Sequence, residues 1–277
     1  MRLARLGDSW VVAINDSTAV DVTDLLGPPT TESWRSLCAQ WPAARSSLEA
    51  ALLDRTSTPL DPRRCAAPVV GPSKIVGLLG NDVERGAGED DQLDLFLKAP
   101  SALVGPSGTI TLPATDDPTT PARVVPECEL AVVISRGGRD LDAGQAGSHV
   151  LGYSIALDLT ARGPGERSRR KSHDTFCPLG PWLVTAEDVA DADDLGVRLW
   201  VGDDLCQDWS TSAMVCRVAE TVAFVSRSVT LEPGDVVLTG APKMSRVLAP
   251  GDVLRGEIDG LGMLEISVSE RPVSERV

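Results

Sequence analysis

The chain has 277 residues, 42% of them hydrophobic and 24% charged, enough to bury one large core, or one core with a small extra domain. Its formal net charge of −14 argues against a nucleic-acid partner, because that role needs a basic surface to displace counterions from phosphates. No apolar stretch reaches bilayer-spanning length, and none follows the basic start Met1-Arg2-Leu3-Ala4-Arg5, so neither a membrane span nor a secretory signal is expected.

Residues 1–68 read as a small N-terminal α/β module. Residues 9–15 and 19–22 are short β-type runs about a turn at Asp16-Ser17. A helix is expected over 43–53, followed by a linker-like passage holding Pro59, Pro62, Pro68 and Pro72. The second part, 69–277, is dominated by β-type runs at 74–79, 109–112, 129–134, 152–157, 197–201, 235–238 and 263–268. One amphipathic helix interrupts them, marked by Met214, Val218, Val222 and Val225 at spacings of four, four and three. With no βαβ alternation, this pattern predicts a mixed, β-rich α+β fold over a doubly wound sheet.

Six cysteines are scattered with no C-x-x-C pair, so they are expected to be reduced and buried in a cytoplasmic protein. Only His149 and His173 are present, which excludes a His-rich zinc site and leaves a hard cation on carboxylates as the main metal option.

Glu127-Cys128-Glu129 is the most informative triplet. Alternate side chains of a strand share a face, so the two glutamates stand side by side while Cys128 points the other way. Like charges so placed repel unless something positive lies between them; taken alone, the triplet fits two solvated glutamates better. The apolar run 130–134 that follows leads into a core, and Asp158 ends a second apolar strand, Tyr153-Ser154-Ile155-Ala156-Leu157. An acid there is unfavourable unless paired or ligated. Three oxygen ligands suit magnesium, manganese or calcium, and the spacing does not choose among them. Lys171 lies thirteen residues beyond Asp158, across a segment rich in arginine (Arg162, Arg167, Arg169, Arg170). Most of that segment reads as a solvated loop; its functional reading is a rim that attracts an anionic substrate.

Together these segments resemble the fumarylacetoacetate hydrolase family. The resemblance rests on Glu127-Cys128-Glu129-Leu130-Ala131, Gly152-Tyr153 up to Asp158, Ala161-Arg162, Lys171-Ser172-His173-Asp174, Gln207 with Thr211-Ser212-Ala213-Met214, and Pro233-Gly234-Asp235 through Thr239-Gly240. It runs in one order along essentially the whole chain. It implies a β-sandwich roll, usually dimeric, with magnesium or manganese held by Glu127, Glu129 and Asp158. It also implies catalytic roles for Lys171 and Arg162, and substrate contacts from Lys98, Gln207, Thr239 and Gly240. The substrate would be a small anionic 2-oxo acid or 1,3-dicarbonyl compound, reacting through a metal-stabilised enolate.

The departures are equally specific. By the same resemblance, hydrolytic members carry a histidine and, three residues on, a glutamate that together activate water; here Val83 and Gly86 hold those places. Glu84 is the substitute base if the loop is re-registered, and His173 is a weaker candidate, set on the face of Lys171 if both lie on one strand. Ala241 stands where a second threonine is usual, and Met244 near a usual glycine. Three functions follow: C–C hydrolysis; isomerisation, decarboxylation or dehydration without activated water; or a non-catalytic ligand-binding role, against which the intact carboxylates and lysine count.

Overall fold

The computed structural model describes residues 1–82, 93–114 and 122–270. Val83, Glu84, Gly86 and the acidic run Glu89-Asp90-Asp91 lie outside the described residues. The N-terminal elements are β1 (Arg2–Leu6), β2 (Ser9–Asn15), β3 (Thr18–Asp21), α1 (Thr23–Leu26), α2 (Thr31–Ala39), α3 (Trp41–Leu52) and β4 (Thr58–Pro59). They are followed by β5 (Ile75–Leu79), β6 (Asp94–Lys98), β7 (Leu103–Val104), β8 (Thr109–Leu112), β9 (Val124–Ile134), α4 (Ala143–Ala146), β10 (Val150–Ala161) and α5 (Arg167–Lys171). The C-terminal part holds β11 (Cys177–Thr185), β12 (Gly196–Val201), β13 (Asp204–Ser210), α6 (Val218–Ser228), β14 (Val236–Leu238), β15 (Val253–Ile258) and β16 (Gly262–Glu270).

The strands form two mixed sheets. An 11-stranded sheet runs β4-β3-β2-β1-β11-β10-β9-β14-β5-β6, with β7 on β11, and a 5-stranded sheet runs β13-β12-β15-β16-β8. Most neighbours are antiparallel, but β14 with β5, β16 with β8 and β7 with β11 are parallel. This is the mixed, β-rich class expected from the sequence.

The two central strands of the large sheet read as near-continuous apolar runs because both of their faces are covered. Ten of the eleven residues of β9 are buried, and eleven of the twelve in β10. The smaller sheet packs on one face. Gly256 of β15 sits so close to Cys128, Leu157 and Ile155 that a β-carbon there would lie 3.1 to 3.3 Å from their side chains.

At the N-terminal end, Thr30 and Ser33 close a reciprocal cap on α2, and Trp34 of that helix stacks on Trp10 at 5.6 Å between ring centroids. Val218, Val222 and Val225 of α6 are buried as their spacing predicts, whereas Met214 lies just before the helix, after a short turn at Thr211–Ala213.

Two local readings are corrected. The segment after Asp158 is not a loop throughout: its second half is the short helix α5, with Lys171 as its last residue. Lys171 and His173 therefore do not share a strand face. His173 lies beyond the helix with its ring 4.9 Å from Phe176.

Candidate metal centre and active site

The site begins with strand register. In the antiparallel pair β9–β10, Asp158 is directly opposite Glu127 and Ala156 is opposite Glu129. Opposed residues project to one face, so strand parity alone gathers Glu127, Glu129 and Asp158. Their carboxylates offer oxygens that all lie within 4.8 Å of one another. Asp158 and Glu129 are buried, and Glu127 is the partly open member. Cys128 points the opposite way, toward β15.

Two lysines reach these acids from other elements. Lys98, the last residue of β6, is enclosed and places Nζ 2.5 Å from Asp158 Oδ1, with the Leu159 carbonyl at 3.3 Å. Lys171 at the end of α5 donates to Asp158 Oδ2 and lies 3.6 Å from Glu127 Oε2. Its ammonium also sits over the Phe96 ring, 4.4 Å from the centroid. Three carboxylates thus face two ammoniums.

The imbalance appears in proton affinities. Burial, reinforced by the charge of Asp158, holds the Glu129 carboxyl well above the usual carboxylate range. Burial also raises Glu127, against the pull of Lys171. Burial acts the same way on Asp158, but Lys171 and Lys98 outweigh it and leave that carboxyl below its ordinary value. Lys171 is raised, because the three acids outweigh its own burial. A compact, buried, all-oxygen donor set with excess negative charge fits a hard divalent cation.

The remaining predicted site residues fall around this point. The Gly240 N–H donates to Glu129 Oε2 at 2.7 Å. Thr239 uses its hydroxyl on the Leu130 carbonyl at 3.1 Å. Arg162 is exposed at the rim, with Nη2 donating to the Met244 carbonyl at 3.0 Å, while Met244 gives Glu127 a backbone hydrogen bond. Ala241 and Met244 are both buried.

Gln207 approaches from the second sheet, and its Oε1 accepts from the Cys128 N–H at 2.7 Å. Its Nε2 is buried without a protein partner. His173 is not brought onto the triad's carboxylates in any hydrogen bond, and burial followed by the nearby Arg169 lowers its pKa. His149 bonds the Arg136 carbonyl through Nδ1 at 2.7 Å, in keeping with a structural role.

Sequence reasoning did not find the Phe96 platform under Lys171 or the engagement of Lys98 with Asp158. The apolar run Leu95-Phe96-Leu97 was the available signal for a strand there.

Comparison with known proteins gives the family. Residues 74–269 match the family model "Fumarylacetoacetate (FAA) hydrolase C-terminal". Maleylpyruvate hydrolase of Aquipseudomonas alcaligenes is 31% identical, covering 97% of this chain and 99% of that protein. The crystal structure of maleylpyruvate hydrolase from Sphingobium sp. SYK-6, in complex with manganese(II) and pyruvate, superposes with a TM-score of 0.86. It is 34% identical and covers 98% of this chain and 100% of that one. The crystal structure of 5-carboxymethyl-2-hydroxymuconate delta-isomerase from Mycobacterium smegmatis gives a TM-score of 0.75 at 30% identity, covering 98% and 100%. The chain belongs to the fumarylacetoacetate hydrolase family, and it is an enzyme of that family.

Proposed function

We propose that this chain is a divalent-metal-dependent enzyme that hydrolyses a C–C bond in a small anionic 2-oxo acid or 1,3-dicarbonyl compound of acylpyruvate type. The observation that carries the reading is the convergence of Glu127, Glu129, Asp158 and the Lys171 ammonium at one buried point. The full-length similarity to two maleylpyruvate hydrolases supports the hydrolytic form. When bound, magnesium or manganese, with calcium as a third option, supplies positive charge that favours the enolate form of the substrate.

The chain's own residues divide the remaining work. Glu127, Glu129 and Asp158 would hold the cation, and Lys98, enclosed behind Asp158, orients that carboxylate instead of touching substrate. Lys171 sits where an ammonium can donate to a substrate oxygen and move a proton to it. Arg162 at the rim offers a second positive group to a substrate carboxylate. Gln207 keeps an unpartnered amide nitrogen for a polar group, and Glu84 is the candidate base for water.

A second reading, isomerisation, decarboxylation or dehydration without activated water, is favoured by Val83 and Gly86 at the places of the water-activating pair. The isomerase among the similar structures is compatible with it. Incubation with Mg2+ or Mn2+ and a panel of acylpyruvates and 2-oxo acids, followed by NMR, separates the two. Two acid products are expected for hydrolysis; released carbon dioxide or a moved double bond would transfer the assignment to the second reading. Full activity of Asp158→Ala in the presence of a chelator would remove the metal from both.

The same reading places the protein in the cytoplasm as a homodimer. Six unpaired thiols, four of them buried, support the compartment, and the family resemblance supports the dimer. Light scattering in solution tests the latter.

A further inference from the structure

We infer that Asn81 is a positioning residue for Glu129, acting through the peptide that joins Thr239 to Gly240; the inference rests on the reading of Glu129 as a metal ligand. Asn81 follows β5 and is 1% exposed. Its Nδ2 donates to the Thr239 carbonyl at 2.8 Å. That carbonyl belongs to the same peptide unit as the Gly240 N–H, which donates to Glu129 Oε2 at 2.7 Å. The carboxamide, the peptide and the carboxylate therefore form one line of hydrogen bonds, and each bond in such a line polarises the next. A planar peptide gripped at its oxygen has little freedom to turn its N–H away from Glu129.

The rest of the carboxamide is held as firmly. Nδ2 also donates to the Cys216 carbonyl at 3.1 Å, and Oδ1 accepts from the Cys216 N–H at 2.6 Å. One side chain thus joins the end of β5, the residues after β14 and the approach to α6. Asparagine suits this place because it supplies a donor and an acceptor together at short reach. Aspartate would turn a carboxylate oxygen toward two carbonyls, and alanine would take this donor from the Thr239 carbonyl and leave the Cys216 carbonyl with the Thr221 hydroxyl at 3.2 Å. Gly240 completes the fit. Its φ is +87°, and an added β-carbon would lie 3.3 Å from both Asn81 Cβ and the Leu78 carbonyl oxygen.

Partners that orient metal-binding carboxylates are worth about tenfold to a hundredfold in metal affinity. Asn81→Ala and the isosteric Asn81→Asp are therefore expected to weaken Mn2+ binding by about that factor, read as free Mn2+ by electron paramagnetic resonance. Ser226→Ala, which removes two side-chain hydrogen bonds away from the site, one to the Ala223 carbonyl and one from the Leu141 N–H, controls for general loosening and should keep wild-type affinity. In 15N-glycine-labelled protein without metal, the Gly240 amide resonance should move in the Asn81 variants and in Glu129→Gln.

Wild-type Mn2+ affinity in a folded Asn81 variant would overturn the proposal while Glu129→Gln loses binding. A Gly240 resonance indifferent to Glu129→Gln would overturn it with no Asn81 variant needed. Undiminished Mn2+ binding by Glu129→Gln would instead bring down the ligand reading on which it stands.

Discussion

Asp158 takes an ammonium on each of its two oxygens, Lys98 on one and Lys171 on the other. Removing the carboxylate charge would take from buried Lys98 its carboxylate partner and leave Lys171 with Glu127 at 3.6 Å, and breaking such a pair from one side costs roughly 3–5 kcal/mol. Asp158→Asn should therefore lower the free energy of urea unfolding by about that amount, as well as abolishing metal binding. Glu129 behaves oppositely. Its folded carboxyl is raised, so protonation stabilises the fold below the unfolded carboxylate range, and that contribution is lost as pH rises through the raised value. A cation must displace this proton. Mn2+ affinity should then strengthen with rising pH and binding should release protons, measurable by calorimetry in buffers of different ionisation enthalpy. Binding that is flat across this range would contradict the raised carboxyl. Strand parity made the two glutamates readable from the sequence, and the apolar strand before Asp158 made that acid readable. Lys98 on Asp158 was not, because the pairing joins residues 60 positions apart and no local pattern encodes it.

Among the elements, strands with plain alternation or strong β propensity were legible, and those that break the rules were not. Ser9–Asn15 and Thr109–Leu112 match the expected bounds. The strand Cys177–Thr185 was hidden by Pro178, Gly180 and Pro181, residues that read as a turn. Its pairing with β10 shifts register between Tyr153, opposite Val184, and Ile155, opposite Gly180, so Gly180 and Pro181 fall at the irregularity, while Pro178 lies opposite Val104 of β7. The strand Asp204–Ser210 was hidden by its polar edge, which lies outermost in the smaller sheet. The pair β5–β6 carries its own prediction. Gly77 is directly opposite Phe96, and a β-carbon at Gly77 would fall within the Phe96 ring. Because that ring underlies Lys171, Gly77→Ala should cost about 1–3 kcal/mol by overpacking and lower kcat as well. Destabilisation with unchanged kcat would show that the ring's place under Lys171 is immaterial to the reaction.

On the scale of the whole molecule, the β-rich class followed from the absence of βαβ alternation, but the division of strands between two sheets did not. That division depends on contacts such as Gly256 against Cys128, which single-chain periodicity does not contain. The N-terminal strands show the same point. β1 adds to the large sheet through Leu3 opposite Leu183 and Ala4 opposite Trp182, and β11 in turn borders β10, the carrier of Asp158. A shortened chain of residues 69–277 would present β11 with a bare row of amides and carbonyls, a template on which further copies can grow. Such a fragment should polymerise, visible as a scattering mass that climbs with concentration and time, while the intact protein keeps a fixed mass.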